Sequence, residues 1–447
     1  MSRLGQKRQA PPRPDPARVV LDVRPLQESD RSPGTADYLE AILAAFAADP
    51  LPGESFVILT QAGLPDPTVE MSELAGLPVV GRRSLPPTRL LRSGALTTDP
   101  FLLRSASVAP TLRWGRLAGA GAGGDRAGGA PTDAPTLFHT ASGSVPIMSR
   151  LPVAVTLLDL APWELPRTFQ RSPAARFGQR LRARILRDAS VVIVPSEAAA
   201  AGARRLLGIR PSRLRVVPLA PRAAFLPGDA VAAPGAALTL PNLDLPARYL
   251  VHPGRFDART DLETLLGALA SLVSAGRPPG LATDVPWPPR IVVADASPDD
   301  RAEIARAAAP FGVGELLSYV PHLGVVQLAA LVRGARALLV PMISATAAQP
   351  VVDAVAAGVP VVASSVGGLP EAVGGAGLLV RPRDERRLAA ALATIWSDDA
   401  VHERLAAAAR SSIGPSGPRT WSDVATDTRM IYASVVRSAL AGAAVGD

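Results

Sequence analysis

GVPVVASSVGGLPEAVGGAGLLVRPRDERRLAAAL, residues 358–392, reads as strand, helix, strand, helix within 35 residues. PVVAS (360–364) and GLLVRP (377–382) are short apolar runs bounded by glycine or proline, of strand length and without polar alternation. Between them a Gly-Gly turn opens LPEAV, which places Glu371 in the first turn of a helix, where the helix dipole favours an acid. DERRLAAAL starts a second helix. Continuous apolar strands that alternate with helices predict a parallel sheet covered on both faces.

The same alternation extends upstream. YLVHPGR (249–255), RIVVADA (290–296), a short run near 317–320 and ALLVP (337–341) read as strands. DLETLLGALASLVSAG, DRAEIARAAAPF, VVQLAALVRGA and PVVDAVAAG read as the helices after them. The first half repeats the pattern with strands at 17–26, 55–60, 136–140, 152–160, 190–196 and 214–219, and helices at 36–49, near 172–187 and near 197–207. Residues 61–116 give a weaker signal. The expected organisation is a disordered arm over 1–16, a Rossmann-like domain over 17–225, a linker over 226–246 and a second domain over 247–415. A final amphipathic helix is expected within 416–447. Residues 117–135, LAGAGAGGDRAGGAPTDAP, offer almost nothing larger than alanine to bury and read as a low-complexity loop. In doubly wound folds, sites lie at the carboxyl ends of the strands, here in the cleft between two such domains.

Composition narrows the chemistry. Cysteine is absent, which excludes thiolate metal sites and cysteine nucleophiles. The four histidines are scattered, and no metal-ligand spacing appears, so no metal is expected. The basic, proline-rich opening has no apolar segment of signal-peptide type, and no apolar run reaches a membrane-spanning length. The expectation is a cytoplasmic protein. Net charge is +8, and 167–222 concentrates it, with thirteen arginines against Asp188 and Glu197. Within it Arg176, Arg180, Arg184 and Arg187 follow helical spacing, with Phe177, Leu181 and Ile185 alongside. That pattern suits either an ordinary amphipathic helix or a stripe for anionic lipid head groups at the inner face of a membrane. No nucleic-acid-binding motif appears, and the single Phe177 among these four arginines makes no stacking platform, so nucleic acid is not an expected partner.

Residues 358–392 closely resemble the C-terminal domain of the family 4 (group 1) glycosyltransferases, which have the GT-B architecture of two Rossmann-like domains around a cleft. YLVHPGRFDARTDLETLL (249–266) and ALLVPMISATAAQPVVDAVAAG (337–358) continue the register. In the first half, LFHTASGSVPI with PVAVTLLDLAPWELP (137–166), and ASVVIVPSEAAAAGARRLLGIRPSRLRVVPLA (189–220), resemble that family's first domain.

The resemblance implies which residues meet a nucleotide-sugar. Gly254 and Arg255 match a Gly-Arg turn, where glycine permits close approach and arginine can fork onto phosphate oxygens. Thr260 stands where the family has a lysine, with Arg259 beside it. Of two glutamates eight positions apart, the first is Ala345 and the second is Asp353, a candidate for the ribose. In the first domain Leu158 replaces a histidine while Asp159, the catalytic candidate, remains. His139 is an acceptor-side candidate and Glu371 a further donor-binding candidate. No resident cofactor is implied, because the nucleotide-sugar is the substrate.

The resemblance implies a metal-independent, retaining hexosyltransferase for a glycan or lipid-linked acceptor, of the kind used in polysaccharide biosynthesis. The replacements at Leu158, Thr260 and Ala345 leave an alternative: a catalytically silent homologue that binds a nucleotide-sugar or a partner protein.

Overall fold

The computed structural model describes residues 14–29, 31–86, 95–106, 135–141, 144–227, 245–253, 257–412 and 417–444. Gly254 and Arg255, the arm up to residue 13, nearly all of the 117–135 loop and most of the 226–246 linker lie outside the described residues.

Two sheets organise the chain, and every strand pairing in both is parallel. The first has seven strands: β1 (Arg18–Asp22), β2 (Ser55–Gln61), β3 (Val79–Leu85), β4 (Thr136–Thr140), β5 (Val153–Thr156), β6 (Val191–Val194) and β7 (Leu214–Val216). Their spatial order is β3-β2-β1-β4-β5-β6-β7. The second has six strands: β8 (Leu250–Pro253), β9 (Ile291–Ala294), β10 (Leu317–Tyr319), β11 (Ala337–Val340), β12 (Val361–Ser364) and β13 (Gly377–Val380), in the order β10-β9-β8-β11-β12-β13. Chain direction across the sheet reverses between β1 and β4 in one and between β8 and β11 in the other. Crevices open at such reversals, outside the carboxyl ends of the strands. Each sheet is buried on both faces by valine, leucine and isoleucine, and two apolar clusters flank each.

Two sequence readings change. The 152–160 run forms a strand only over Val153–Thr156, after which Leu157–Leu160 leaves the sheet toward the second domain. β3 lies in the weakly patterned stretch. It is an edge strand, VVGRRSL, with alternate residues exposed, and its glycine and two arginines hide the apolar signal.

The helix Trp421–Ala444 packs on the helix Pro33–Ala48 of the first domain. Arg429 enters that contact fully buried, held bidentately by Glu54 at 2.9 and 2.7 Å, with its guanidinium 4.9 Å from the Phe46 ring centre. A second buried contact corrects the reading of His139. Its Nδ1 meets the Tyr432 hydroxyl at 2.7 Å and its Nε2 the Thr156 hydroxyl at 2.9 Å, and Thr156 also pairs with the Tyr38 hydroxyl at 3.2 Å. His139 is fully buried between sheet and helix, so it is a structural histidine and not an acceptor-side group.

Burial pushes the His139 pKa down to about 4, against the opposing field of Asp22. The unfolded chain therefore binds a proton that the folded chain refuses between about pH 6.5 and 4. Stability from this residue should be complete above pH 6.5 and fall by about 3 kcal/mol as the pH drops to 4. Urea titrations across that window should show the slope in the wild type and lose this component in His139→Gln. An equal slope in both would remove the assignment.

Candidate active site

The cleft wall from the second domain is built by two loops bound to each other. After β8 the chain reaches Asp257, whose carboxylate accepts from the Arg259 amide at 2.8 Å and grips its guanidinium through Nε at 2.9 Å. This Asp-x-Arg turn folds locally because the acid is two residues before the base. Thr260 then bridges to Met342, Ile343 N–H donates to Arg259 O at 2.7 Å, and Asp261 N–H donates to Pro341 O at 2.9 Å. The loop after β8 is thus fastened to the loop after β11.

Asp261 opens the helix Leu262–Ala275. Its carboxylate accepts from the Thr264 hydroxyl at 2.8 Å and from Arg383 N–H at 2.6 Å. Thr260 is buried just before that helix, and its hydroxyl has no hydrogen-bond partner among the described residues. An orphan hydroxyl at a helix start is unusual, since buried polar groups are normally paired.

The first domain contributes the segment after β5. Asp159 Oδ1 accepts from Ala161 N–H at 2.9 Å and starts the short helix Ala161–Glu164. Its Oδ2 lies 3.6 Å from Arg259 Nη1, across the cleft, and both side chains remain partly open to solvent. Arg259 thus stands between Asp257 of its own loop and Asp159 of the opposite domain. Partial burial works against its charge, but the hydrogen bonds to Asp257 and the fields of both acids prevail, and its pKa is raised.

The remaining candidates part company. Leu158 and Ala345 are both buried and belong to the apolar clusters of their own domains. Asp353 is 1% exposed and faces Arg222 instead of the cleft, on the connector, the stretch of chain that leaves β7 for the second domain. Its Oδ1 accepts from Arg222 N–H at 2.8 Å and Gln349 Nε2 at 2.9 Å, and its Oδ2 accepts from Arg222 Nε at 2.8 Å. Burial raises its pKa while Arg222 opposes the rise. The expected ribose carboxylate is a latch on the connector, because both oxygens are already engaged.

Glu371 is also diverted. Its carboxylate accepts from the Glu197 and Ala198 amides of the first domain at 3.0 and 2.7 Å. Other cross-domain contacts were invisible in the sequence. Leu160 N–H donates to Thr346 Oγ1 at 2.7 Å, and Ser344 Oγ donates to Glu164 at 2.5 Å. Thr346 and Ser344 flank Ala345; Thr346 stands where the resembled family has a turn glycine, and nothing marked Ser344. Arg222 carried one signal, its place at the end of the arginine-rich segment.

On the helix Pro173–Asp188, Arg176, Arg180, Arg184 and Arg187 are exposed, and Phe177 is 61% exposed. Arg187 differs from the others, because its Nε donates to Leu207 O at 2.6 Å and so closes the end of the next helix. Among the described residues no group of three or more acids and histidines is placed to hold a metal ion. No described helix is long and apolar enough to cross a membrane.

Comparison with known proteins covers both halves. Residues 33–220 match the Glycosyl transferase 4-like domain, and residues 247–398 match the family described as Glycosyl transferases group 1. The chain is 31% identical to D-inositol 3-phosphate glycosyltransferase of Streptomyces avermitilis over 219 residues, which is 48% of this chain and 45% of that protein. It therefore spans about half the length of the curated relatives it matches.

Among solved structures, sucrose-phosphate synthase of Thermosynechococcus elongatus superposes with a TM-score of 0.67 at 21% identity, covering 94% of this chain and all of that one. Anabaena HepE, in complex with UDP and glucose, gives 0.61 at 15% identity, covering 95% of this chain and all of that one. At these identities the two structures speak for the fold alone. With both of its domains matched in sequence and both sheets in the two-domain arrangement, the chain belongs to the group 1, family 4-like glycosyltransferases of the GT-B fold.

Proposed function

We propose that this protein transfers a hexose from a nucleotide-sugar to a glycan or lipid-linked acceptor, without a metal and with retention of configuration. The observation that carries the reading is Arg259 at the start of the helix Leu262–Ala275, facing Asp159 across the cleft. Departure of a nucleoside diphosphate leaves negative charge that a guanidinium and a helix N-terminus can stabilise. Thr260 adds an unengaged hydroxyl at the same place. Asp159 is the acid that faces that cation from the opposite domain, and it carries the charge that a sugar of oxocarbenium character would meet. The family resemblance adds Gly254 and Arg255, which follow β8 in sequence, as further diphosphate contacts. The UDP and glucose bound by Anabaena HepE support a nucleoside diphosphate-sugar as the donor class.

A second reading has its own observation. Leu158 and Ala345 are apolar and buried, and Asp353 is engaged by Arg222, so three polar groups of the family site are withdrawn. A silent homologue would bind a donor without turning it over. Thermal-shift screening against a nucleotide-sugar panel, followed by hydrolysis and transfer assays on each hit, separates the readings. Binding with turnover is the expected result. Binding without turnover would replace transfer with the silent reading.

The exposed stripe of Arg176, Arg180 and Arg184 beside exposed Phe177 supports a peripheral contact with anionic membrane on the cytoplasmic side. Each basic residue near an anionic surface contributes about 1 kcal/mol. Vesicles containing phosphatidylglycerol should sediment the protein, and the triple change of these arginines to glutamine should weaken that binding at least tenfold. Equal binding to neutral vesicles would contradict it.

A further inference from the structure

We infer that Glu371 is a positioning residue that biases the two domains toward closure by capping a helix of the opposite domain. The helix Glu197–Leu207 leaves β6 with amide groups that have no partner inside the helix. Ser196 Oγ accepts from Ala199 N–H at 3.0 Å, within the same domain. The two amides before it are met from across the cleft: Glu197 N–H by Glu371 Oε2 at 3.0 Å and Ala198 N–H by Oε1 at 2.7 Å. One carboxylate thus uses both oxygens on the positive end of a helix in the other domain, a charge-assisted contact favoured by the dipole.

The turn before Glu371 is shaped for this approach. Gly367 has φ +53, and a Cβ there would lie 1.7 Å from Ala345 O. A Cβ at Gly368 would lie 3.0 Å from Ser196 Oγ and 2.9 Å from Thr346 O. Gly367 lets the turn lie on the Ala345 backbone of its own domain and Gly368 lets it approach Ser196 of the first, which brings the Glu371 carboxylate within reach of the helix. The seam continues through Leu160–Thr346 and Glu164–Ser344, on the segment that carries Asp159. Closing the seam therefore sets the distance between Asp159 and Arg259. Glu371 sits at the solvent rim, so it tilts the equilibrium severalfold and does not lock it.

The chain has no cysteine, so Ala174→Cys in the first domain and Ala302→Cys in the second, both exposed, give unique sites for a fluorophore pair. Glu371→Ala removes the acceptor. Glu197→Pro removes one donor from the other side, at a first helical position that accepts proline, after a Ser196 already extended at φ −157 and ψ 162. Single-molecule energy transfer should show the closed-to-open ratio falling about threefold or more in each variant, with the double variant no worse than the worse single one.

The catalytic consequence rests on the transferase reading. The donor KM should rise by the factor by which the closed fraction falls, with kcat nearly unchanged, because saturating donor restores closure. An unchanged transfer distribution in both single variants, or additive losses in the double one, would overturn the proposal. If one variant fails to fold, the other decides. Absence of turnover in the wild type would defeat the transferase reading and leave the closure measurement standing.

Discussion

Arg259→Ala should lower kcat at least tenfold, and toward the 10²–10³ typical of removing one transition-state group, while the protein stays folded. The guanidinium is held by Asp257 within its own loop and lies 3.6 Å from Asp159 across the cleft. It is partly exposed, so no core is disturbed by its removal. The family lysine is replaced by Thr260, which leaves Arg259 as the described cation at that helix start. Because the leaving diphosphate gains charge in the transition state, the loss should fall on kcat more than on donor KM. Arg259→Lys should recover only part of the rate, because a point charge cannot reproduce the fork that Asp257 orients. A turnover number unchanged in Arg259→Ala would remove this residue from the chemistry.

Arg429→Ala should cost about 3–5 kcal/mol of stability, the usual penalty for breaking a buried pair by removing one partner. Glu54 would then remain buried without its cation, and the Asp49 carbonyl would lose a donor that now reaches it at 2.8 Å. The effect belongs to the Trp421–Ala444 helix, so its release from the first domain should accompany the loss. Hydrogen exchange should show faster exchange along that helix and along Pro33–Ala48, with the second sheet unaffected. Replacing both partners by apolar residues of similar volume should be far milder than either single change. A single change that costs under 1 kcal/mol would show that the pair is not what holds the helix.

The fold was legible in the sequence wherever strands were continuous apolar runs. VVIV, IVVA and VVAS carry a parallel sheet in their composition, and each lies on a sheet buried from both faces. β3 escaped because an edge strand faces solvent on alternate residues, here Val80, Arg82 and Ser84, and because Gly81 and Arg83 break the apolar run between them. The site was only partly legible. Arg259 and Asp159 were singled out by the family resemblance, one beside the lysine position at a helix start and the other after a first-domain strand, and the structure brings the two within 3.6 Å. Asp353, Glu371 and His139 had the right residue types at the right positions but the wrong neighbours. Their partners, Arg222, the Glu197 and Ala198 amides and Tyr432, lie 131, 173 to 174 and 293 residues away. A carboxylate at a cleft position looks the same in sequence whether it meets a ribose or an arginine of the connector. Only the packed structure distinguishes them.

The central claim is that the cleft between Asp159 and Arg259 receives a nucleoside diphosphate. Titration calorimetry of the wild type and Arg259→Ala with UDP, GDP and ADP addresses it directly, without requiring knowledge of the sugar or the acceptor. At least one diphosphate should bind saturably to the wild type and about tenfold more weakly to Arg259→Ala, since a hydrogen bond to a charged group contributes about 1.5–3 kcal/mol. No saturable binding by any of the three, or equal affinity in the two proteins, would contradict it.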